Sequence, residues 1–280
     1  MSESFFLAWA FPPWICIALE LVAIVYWRGW LGIRKTRPTM FPVWRLVCFL
    51  AGIASIIIAV ASPLDTFSDR LLFLHMTQHF VLMSLAPPLI VLAAPVVPIL
   101  RGLPRSFVRP VLGPLIRTSW LRRFFRSLVT PGIAWMLMNV AFIGWHIPSA
   151  YEFALRSEYW HNLEHACFLF LSILFWWPVI QPWPSHYTGS RWLLLPYLLA
   201  ADIINTALSA ILCFSGRVLY PSYADQSRMF GIDALTDQAA AGALMWVFGS
   251  IIFLIPATVI TMQLLSPSRR PIAMRDVPSH

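Results

Sequence analysis

Seven histidines occur in this 280-residue chain, and four of them form two pairs. His75 and His79 are spaced i, i+4, and so are His161 and His165. On a helix that spacing stacks both imidazoles on one face, with Cβ atoms about 5–6 Å apart. One metal ion can bridge such a pair, and two pairs on different helices can bring four ring nitrogens together. His146 and Asp237 fall at the same level of the apolar segments described below, which makes them candidate further ligands or partners of ligands. One HxxxH is a weak signal; two such pairs with His146 and Asp237 at one depth are a stronger one. The plainer reading is an interhelical hydrogen-bond network that fixes the packing. Glu164 precedes His165 by one residue and so points about 100° away from it on a helix. It is expected to partner a neighbouring helix rather than share the ion.

Imidazole suits zinc, copper and iron. Met83 lies eight residues after His75, Met138 eight before His146, and Met245 eight after Asp237. Eight residues is about 12 Å of helix, so each thioether is expected one step deeper than the histidines. Thioethers select Cu(I), although methionine is also an ordinary filler of core gaps. Asp202 and Glu20 stand deeper in apolar stretches and are candidates for a proton or ion relay. Pro87 and Pro88 should kink their helix by freeing carbonyls one turn earlier, shaping a cavity beneath His79.

These residues must be positioned by apolar segments. Of the chain, 59% is apolar or aromatic and only 11% is charged, against roughly 25% charged in soluble domains. It carries 14 tryptophans and 20 phenylalanines, and its mean hydropathy is +0.72. This composition excludes a disordered chain, a collagen-like chain and a small disulfide scaffold, and argues against a soluble enzyme. A spanning helix needs about 20 apolar residues. Seven such stretches are visible, near 9–28, 43–62, 70–94, 131–146, 159–180, 192–214 and 237–262. The short alternating strands of a membrane barrel are not seen. The expected fold is therefore all-α: a polytopic membrane helical bundle of about seven transmembrane helices, one domain over 1–265 with a tail at 266–280. Cys16, Cys48, Cys167 and Cys213 are scattered through apolar runs and read as small apolar residues. The N-terminus has no basic n-region or A-x-A site, so it reads as a retained first helix.

Charge placement sets an orientation. Arg28, Arg34, Lys35, Arg37 and Arg45 fall in one connection. Arg101, Arg105, Arg109, Arg117, Arg122, Arg123 and Arg126 fall in the 95–130 connection, Arg191 in the next on that side, and Arg269, Arg270 and Arg275 in the tail. Only Arg70, Arg156, Arg217 and Arg228 lie opposite, together with Glu3, Asp65, Asp69, Glu152, Glu158, Asp225, Asp233 and Asp237. The positive-inside rule then expects the N-terminus outside and the C-terminus in the cytoplasm. It accounts for the net charge of +8 without nucleic acid. On this orientation the five histidines sit at outer helix ends, with His186 and His280 on the cytoplasmic side. Pro95, Pro98, Pro104, Pro110 and Pro114 forbid a long helix in the 95–130 connection. Its Leu115–Leu128 stretch mixes Trp120, Phe124 and Phe125 with arginines, as does an amphipathic helix held on membrane lipids of the inner leaflet. Trp27, Trp30, Trp44, Trp176, Trp177, Trp183 and Trp192 read as an interfacial aromatic belt.

The string SPLDTFSDRLLFLHMTQHFVLMSLAPPLIVLAAP (62–95) resembles the signature of the CtaG-type cytochrome c oxidase assembly factors. So do GWHIPSAYEFALRSEYWHNLEHACFLFLSILFWWPVI (144–180) and DQAAAGALMWVFGS (237–250). The resemblance spans about 40–262. It implies a multi-pass protein of the bacterial cytoplasmic (inner) membrane that takes part in making active haem–copper oxidase by supplying or handling copper. Some relatives are fused to copper-transport membrane domains. The family's histidines correspond to His75, His79, His146, His161 and His165, and its acidic position to Asp237. The function expected is a membrane assembly factor, not an enzyme. It would hold copper near the outer face with the five histidines and pass it to oxidase subunits by ligand exchange, with Met83 or Met245 as transit ligands and periplasmic copper chaperones as further partners. Three rivals stand beside it. One is a haem b electron carrier with one axial histidine from each of two helices. Another is an intramembrane zinc hydrolase with Asp237 or Glu152 as general base. The third is a metal-free scaffold for oxidase subunits.

Overall fold

A computed structural model of the chain describes residues 9–185, 189–224 and 231–266. The expectations resting on residues 1–8, His186, Asp225, Arg228 and the tail with Arg269, Arg270, Arg275 and His280 lie outside the described residues.

Helices account for most of the described chain, and no strand occurs among the described residues. In order they are α1 (Pro13–Arg34), α2 (Val43–Ala61), α3 (Leu72–Leu92), α4 (Val96–Gly102), α5 (Ser119–Leu128), α6 (Pro131–His146), α7 (Glu158–Ile180), α8 (Leu194–Phe214) and α9 (Ala234–Leu265). Short helices Pro63–Ser68 and Pro148–Leu155 lead into α3 and α7. Six of these, α1, α2, α3, α7, α8 and α9, are long and apolar enough to cross a membrane. The seventh expected span is different. The 16-residue α6 rises only about 24 Å, less than the roughly 30 Å of a bilayer core. It counts as a span only together with α5, to which it is bent by 63°.

The bundle is apolar outside as well as inside. On α9, Val247, Phe248, Ile251, Leu254, Ile255 and Val259 are exposed, while Met245, Gly249 and Ile260 point inward. An apolar exterior of this extent suits lipid, and helices suit lipid because they satisfy their own backbone polar groups. Aliphatic packing alone drives little helix association there, so close backbone approach matters. The α8–α9 pair depends on Gly242: a Cβ at this position would lie 2.8 Å from both the Ser209 carbonyl oxygen and the Cys213 nitrogen.

At the place of the expected kink, α3 has a π-helical turn over Val81–Leu85, just before Pro87 and Pro88. Pro87 has no N–H for the carbonyl four residues earlier, which is that of Met83. That freed oxygen accepts a hydrogen bond from Trp176 Nε1 at 3.1 Å. Trp176 is therefore a buried residue of the bundle, not part of an interfacial belt. Trp30 is also buried, with its indole nitrogen 3.4 Å from the Pro42 carbonyl. Trp27, Trp44 and Trp192 are exposed, as a belt requires.

The 95–130 connection holds only short helices, as its prolines demand, but two details depart from expectation. First, α4 packs along α1, where Gly29 and Gly102 allow backbone contact. Second, the Leu115–Leu128 segment is broken at Thr118, whose backbone is extended. The Thr118 hydroxyl donates to the Pro114 carbonyl at 2.9 Å, closing the helix 113–117 before α5 begins. On α5, Trp120, Phe124, Phe125 and Arg122, Arg123 and Arg126 are all exposed.

Replacing Gly242 with alanine must separate α8 from α9, and overpacking of this kind costs about 1–3 kcal/mol. Gly144→Ala, with open space around the added methyl, should be neutral or gain up to about 1 kcal/mol of helix propensity. Unfolding of both variants in mixed micelles checks the contrast.

Candidate metal centre

Four imidazoles from two helices meet at one end of the bundle. His75 and His79 come from α3, and His161 and His165 from the first turns of α7. Their ring centroids are 4.2 Å apart within each pair, 5.0 Å for His75–His161 and 5.3 Å for His79–His165. One ligand nitrogen from each residue lies within 4.8 Å of all the others. Tetrahedral coordination with bonds of about 2.0 Å asks for nitrogens about 3.3 Å apart. Small side-chain rotations therefore suffice to bring all four onto one ion.

The polar atoms of this histidine group are largely left without hydrogen-bond partners. Among the described residues, His75 Nε2, both nitrogens of His79, His161 Nε2, His165 Nε2 and His146 Nε2 are buried with no hydrogen-bond partner. So are both carboxylate oxygens of Glu164. Each unsatisfied buried polar atom costs about 1–3 kcal/mol. A network that served only to fix the packing would have paired these atoms with one another.

Two of the tautomers follow from acceptors that cannot donate. His146 Nδ1 is 2.7 Å from the Phe142 carbonyl, so it carries the proton and Nε2 keeps its lone pair. His75 Nδ1 is 3.1 Å from the Tyr223 hydroxyl, which itself donates to the Ser68 carbonyl at 2.8 Å. Tyr151 lies 2.9 Å from the same hydroxyl. Burial pushes both phenols well above their ordinary pKa, so each keeps its proton at neutral pH. The single Tyr223 proton goes to Ser68, which leaves the phenol oxygen to accept from His75 Nδ1–H. His75 Nε2 is then free to bind a cation, oriented from behind as metal-binding histidines usually are. Tyr223 is held in turn by Glu152, whose carboxylate accepts from the Ser222 backbone N–H at 3.0 Å and from the Ser222 hydroxyl.

Asp237, expected at the metal, does something else. Its carboxylate accepts the backbone N–H groups of Leu72 at 2.7 Å and Phe73 at 3.1 Å. These are among the donors that a helix start leaves without partners. Asp237 thus caps α3 from across the bundle and stands outside the four-histidine group. Its neighbour Gln238 accepts from Leu219 N–H and donates to carbonyls of Leu212 and Arg217, tying down the strand of chain after α8. Glu164 reaches the neighbouring helix, as expected, and its partner there is His79: the carboxylate is 3.7 Å from His79 Nε2. His146 stands beside the four, its ring centroid 6.1 Å from that of His79. Asp202 lies apart, accepting from the Ser250 hydroxyl at 2.8 Å, and Glu20 is on an exposed face of α1. The four cysteines are half-buried and unpaired.

Beneath the histidines is a cavity of about 50 Å³, with His79, His146, Met83, Met138 and Met245 in its wall. Met76 joins them there. Its signal was present in the sequence, since Met76, His79 and Met83 follow the i, i+3, i+7 spacing of one helical face. Tyr151 and Tyr223 had no such signal, because the segment carrying Tyr223 has no helical periodicity.

The family model for the cytochrome c oxidase caa3 assembly factors matches residues 24–266. An uncharacterized protein of Mycobacterium leprae is 25% identical over 258 residues, covering 86% of this chain and 37% of that protein. Uncharacterized proteins of Mycobacterium bovis and Mycobacterium tuberculosis are each 25% identical over 280 residues, covering 96% of this chain and 41% of theirs. The chain thus spans less than half the length of these relatives. No solved structure matches it.

Asp237→Ala strands one buried and one part-buried amide that now bond to a carboxylate. Such bonds contribute about 1.5–3 kcal/mol each, so a loss of roughly 3 kcal/mol or more is expected in micellar unfolding. Asp237→Asn, which keeps one acceptor oxygen, should lose about half as much.

Proposed function

Since the chain belongs to the family of cytochrome c oxidase caa3 assembly factors, we propose that it is a copper-handling assembly factor. It holds the ion with His75, His79, His161 and His165 and delivers it to the oxidase by ligand exchange. The observation that carries this reading is the convergence of four buried, unpartnered imidazole nitrogens within 4.8 Å. On the orientation expected from the basic residues, this end of the bundle faces outward from a bacterial cytoplasmic membrane. There the ion would be received from periplasmic carriers and passed to oxidase subunits.

Glu164 favours a cation at this point. A buried carboxylate is expensive without a counter-charge, and among the described residues its ion-pair partner is the neutral-capable His79. A monovalent ion on four neutral imidazoles would leave the whole group uncharged. The geometry is less suited to the rival roles. Bis-histidine haem needs two ligands on opposite sides of a macrocycle. Here four crowd together, beside a cavity of about 50 Å³ where ligand sites usually run to about 300 Å³ or more. Asp237 and Glu152, the two carboxylates suited to a general base, are engaged by Leu72, Phe73 and Ser222.

Protein purified in mild detergent should carry or accept about one equivalent of copper at the histidines, without a haem band in the visible spectrum. The His75→Ala/His79→Ala variant should lose that equivalent and fail to support oxidase assembly. A double variant that still supports assembly would sink the reading. Tyr223→Phe removes the acceptor behind His75 Nδ1. It should weaken the metal about 10- to 100-fold while leaving the ligand set unchanged, as read by competition with a chelator.

A further inference from the structure

The cavity below the histidines is built from an unusual set of side chains. Four of the chain's ten methionines line it: Met76 and Met83 from α3, Met138 from α6 and Met245 from α9. Methionine ordinarily fills irregular gaps in a core. Here, methionines from three helices surround a gap that none of them closes. About 50 Å³ holds a few water-sized particles at roughly 10–15 Å³ each, and is too small for an organic cofactor. One lining residue carries a nitrogen in need of a partner: His146 Nε2 is buried and without a hydrogen bond among the described residues, with its lone pair fixed by the Nδ1–H bond to Phe142. The wall is also held in shape. Trp176 bonds the carbonyl of Met83 within the π-helical turn, and the Ser172 hydroxyl donates to the Met138 sulfur at 3.3 Å.

We propose that this cavity is a second metal site, specific for a soft monovalent cation of the Cu(I) class. Its ligands are the thioethers of Met83, Met138 and Met245 with Nε2 of His146. Thioether sulfur favours Cu(I) over harder ions. Among the described residues the lining contains no carboxylate; besides the histidines its polar side chains are Ser84, Asn139, Asn205 and the indole of Trp176. The cost of desolvating an ion rises with the square of its charge, so a neutral pocket admits a monovalent ion far more readily than a divalent one. His79 belongs both to the four-histidine group and to the cavity wall. The two sites are therefore neighbours in series, with His79 between them. The ion keeps its oxidation state and only exchanges ligands. Supply through the histidine cluster rests on the function proposed above; the methionine site itself does not.

The test uses the full chain in detergent micelles with Ag(I), a soft monovalent probe that does not change oxidation state, and Zn(II) as the contrasting ion. After desalting, the wild type should retain two Ag(I) equivalents but only one of Zn(II). X-ray absorption at the silver edge should show sulfur neighbours. Met83→Leu/Met245→Leu should retain one Ag(I), lose the sulfur scattering and keep its Zn(II). Met138→Leu should reduce the sulfur scattering in the same direction. The wild-type spectrum needs no variant, so a misfolded double variant does not spoil the test. A wild-type silver site without sulfur neighbours overturns the proposal, as does sulfur scattering unchanged in both variants. If Zn(II) and Cu(I) fail to bind the histidines while sulfur-bound Ag(I) persists, the four-histidine reading falls and this one stands.

Discussion

The contact on which the rest of the site depends is the Asp237 carboxylate on the first amides of α3. It joins residues 165 positions apart in the chain and sets where α3 begins relative to α9. In an apolar bundle a helix start carries unpaired N–H groups that lipid cannot satisfy. The acceptor therefore has to come from protein, and its position fixes the level at which the helix enters. His75 lies in the first turn of α3 and His79 one turn on, so their depth opposite His161 and His165 follows from that capping bond. The same helix start places Met76 and Met83 on the face turned to α6 and α9.

Proline then reshapes α3 below the histidines. The missing N–H at Pro87 releases the Met83 carbonyl, the π-helical turn absorbs the mismatch, and Trp176 supplies the donor. π-bulges of this kind are frequent at functional sites. Here the bulge locally widens α3 where the methionine-lined cavity opens. A residue with an N–H at position 87 could have claimed that carbonyl for the helix ladder, in competition with the Trp176 indole.

Polar side chains in this bundle fall into two groups that differ in how they are satisfied. Asp237, Gln238, Glu152 and the Tyr151–Tyr223 pair are saturated with hydrogen bonds to backbone or to one another. They hold the ends of helices and the segment around Tyr223. Among the described residues, the five histidine Nε2 atoms and the Glu164 carboxylate have no hydrogen-bond partner, and Glu164 only approaches His79 Nε2 at 3.7 Å. Unmet polar capacity is thus gathered in one place, inside walls whose own polar groups are met, and buried polar groups left unpaired call for an explanation.

The sequence by itself determined the solvent of this protein, its all-helical class and the candidate ligands. Those depend on composition and on i, i+4 spacing, which any helix converts into a shared face. The HxxxH pairs read this way are the pairs that converge. Met83, Met138 and Met245, placed by counting along helices, do share one cavity. What spacing along one helix could not convey is rotation and register between helices. Asp237 sits at the level of the histidines, yet its oxygens turn to the α3 amides. Trp176 lies near the helix end, as an interfacial residue would, yet faces inward to Met83. Glu164 projects off the histidine face of its own helix and still reaches His79 on another. Tyr223 comes from a segment with no periodicity at all. These placements were decided only by the tertiary structure, because each depends on the mutual rotation and offset of helices, set by close contacts such as Gly242 on Ser209 and by bonds across the bundle.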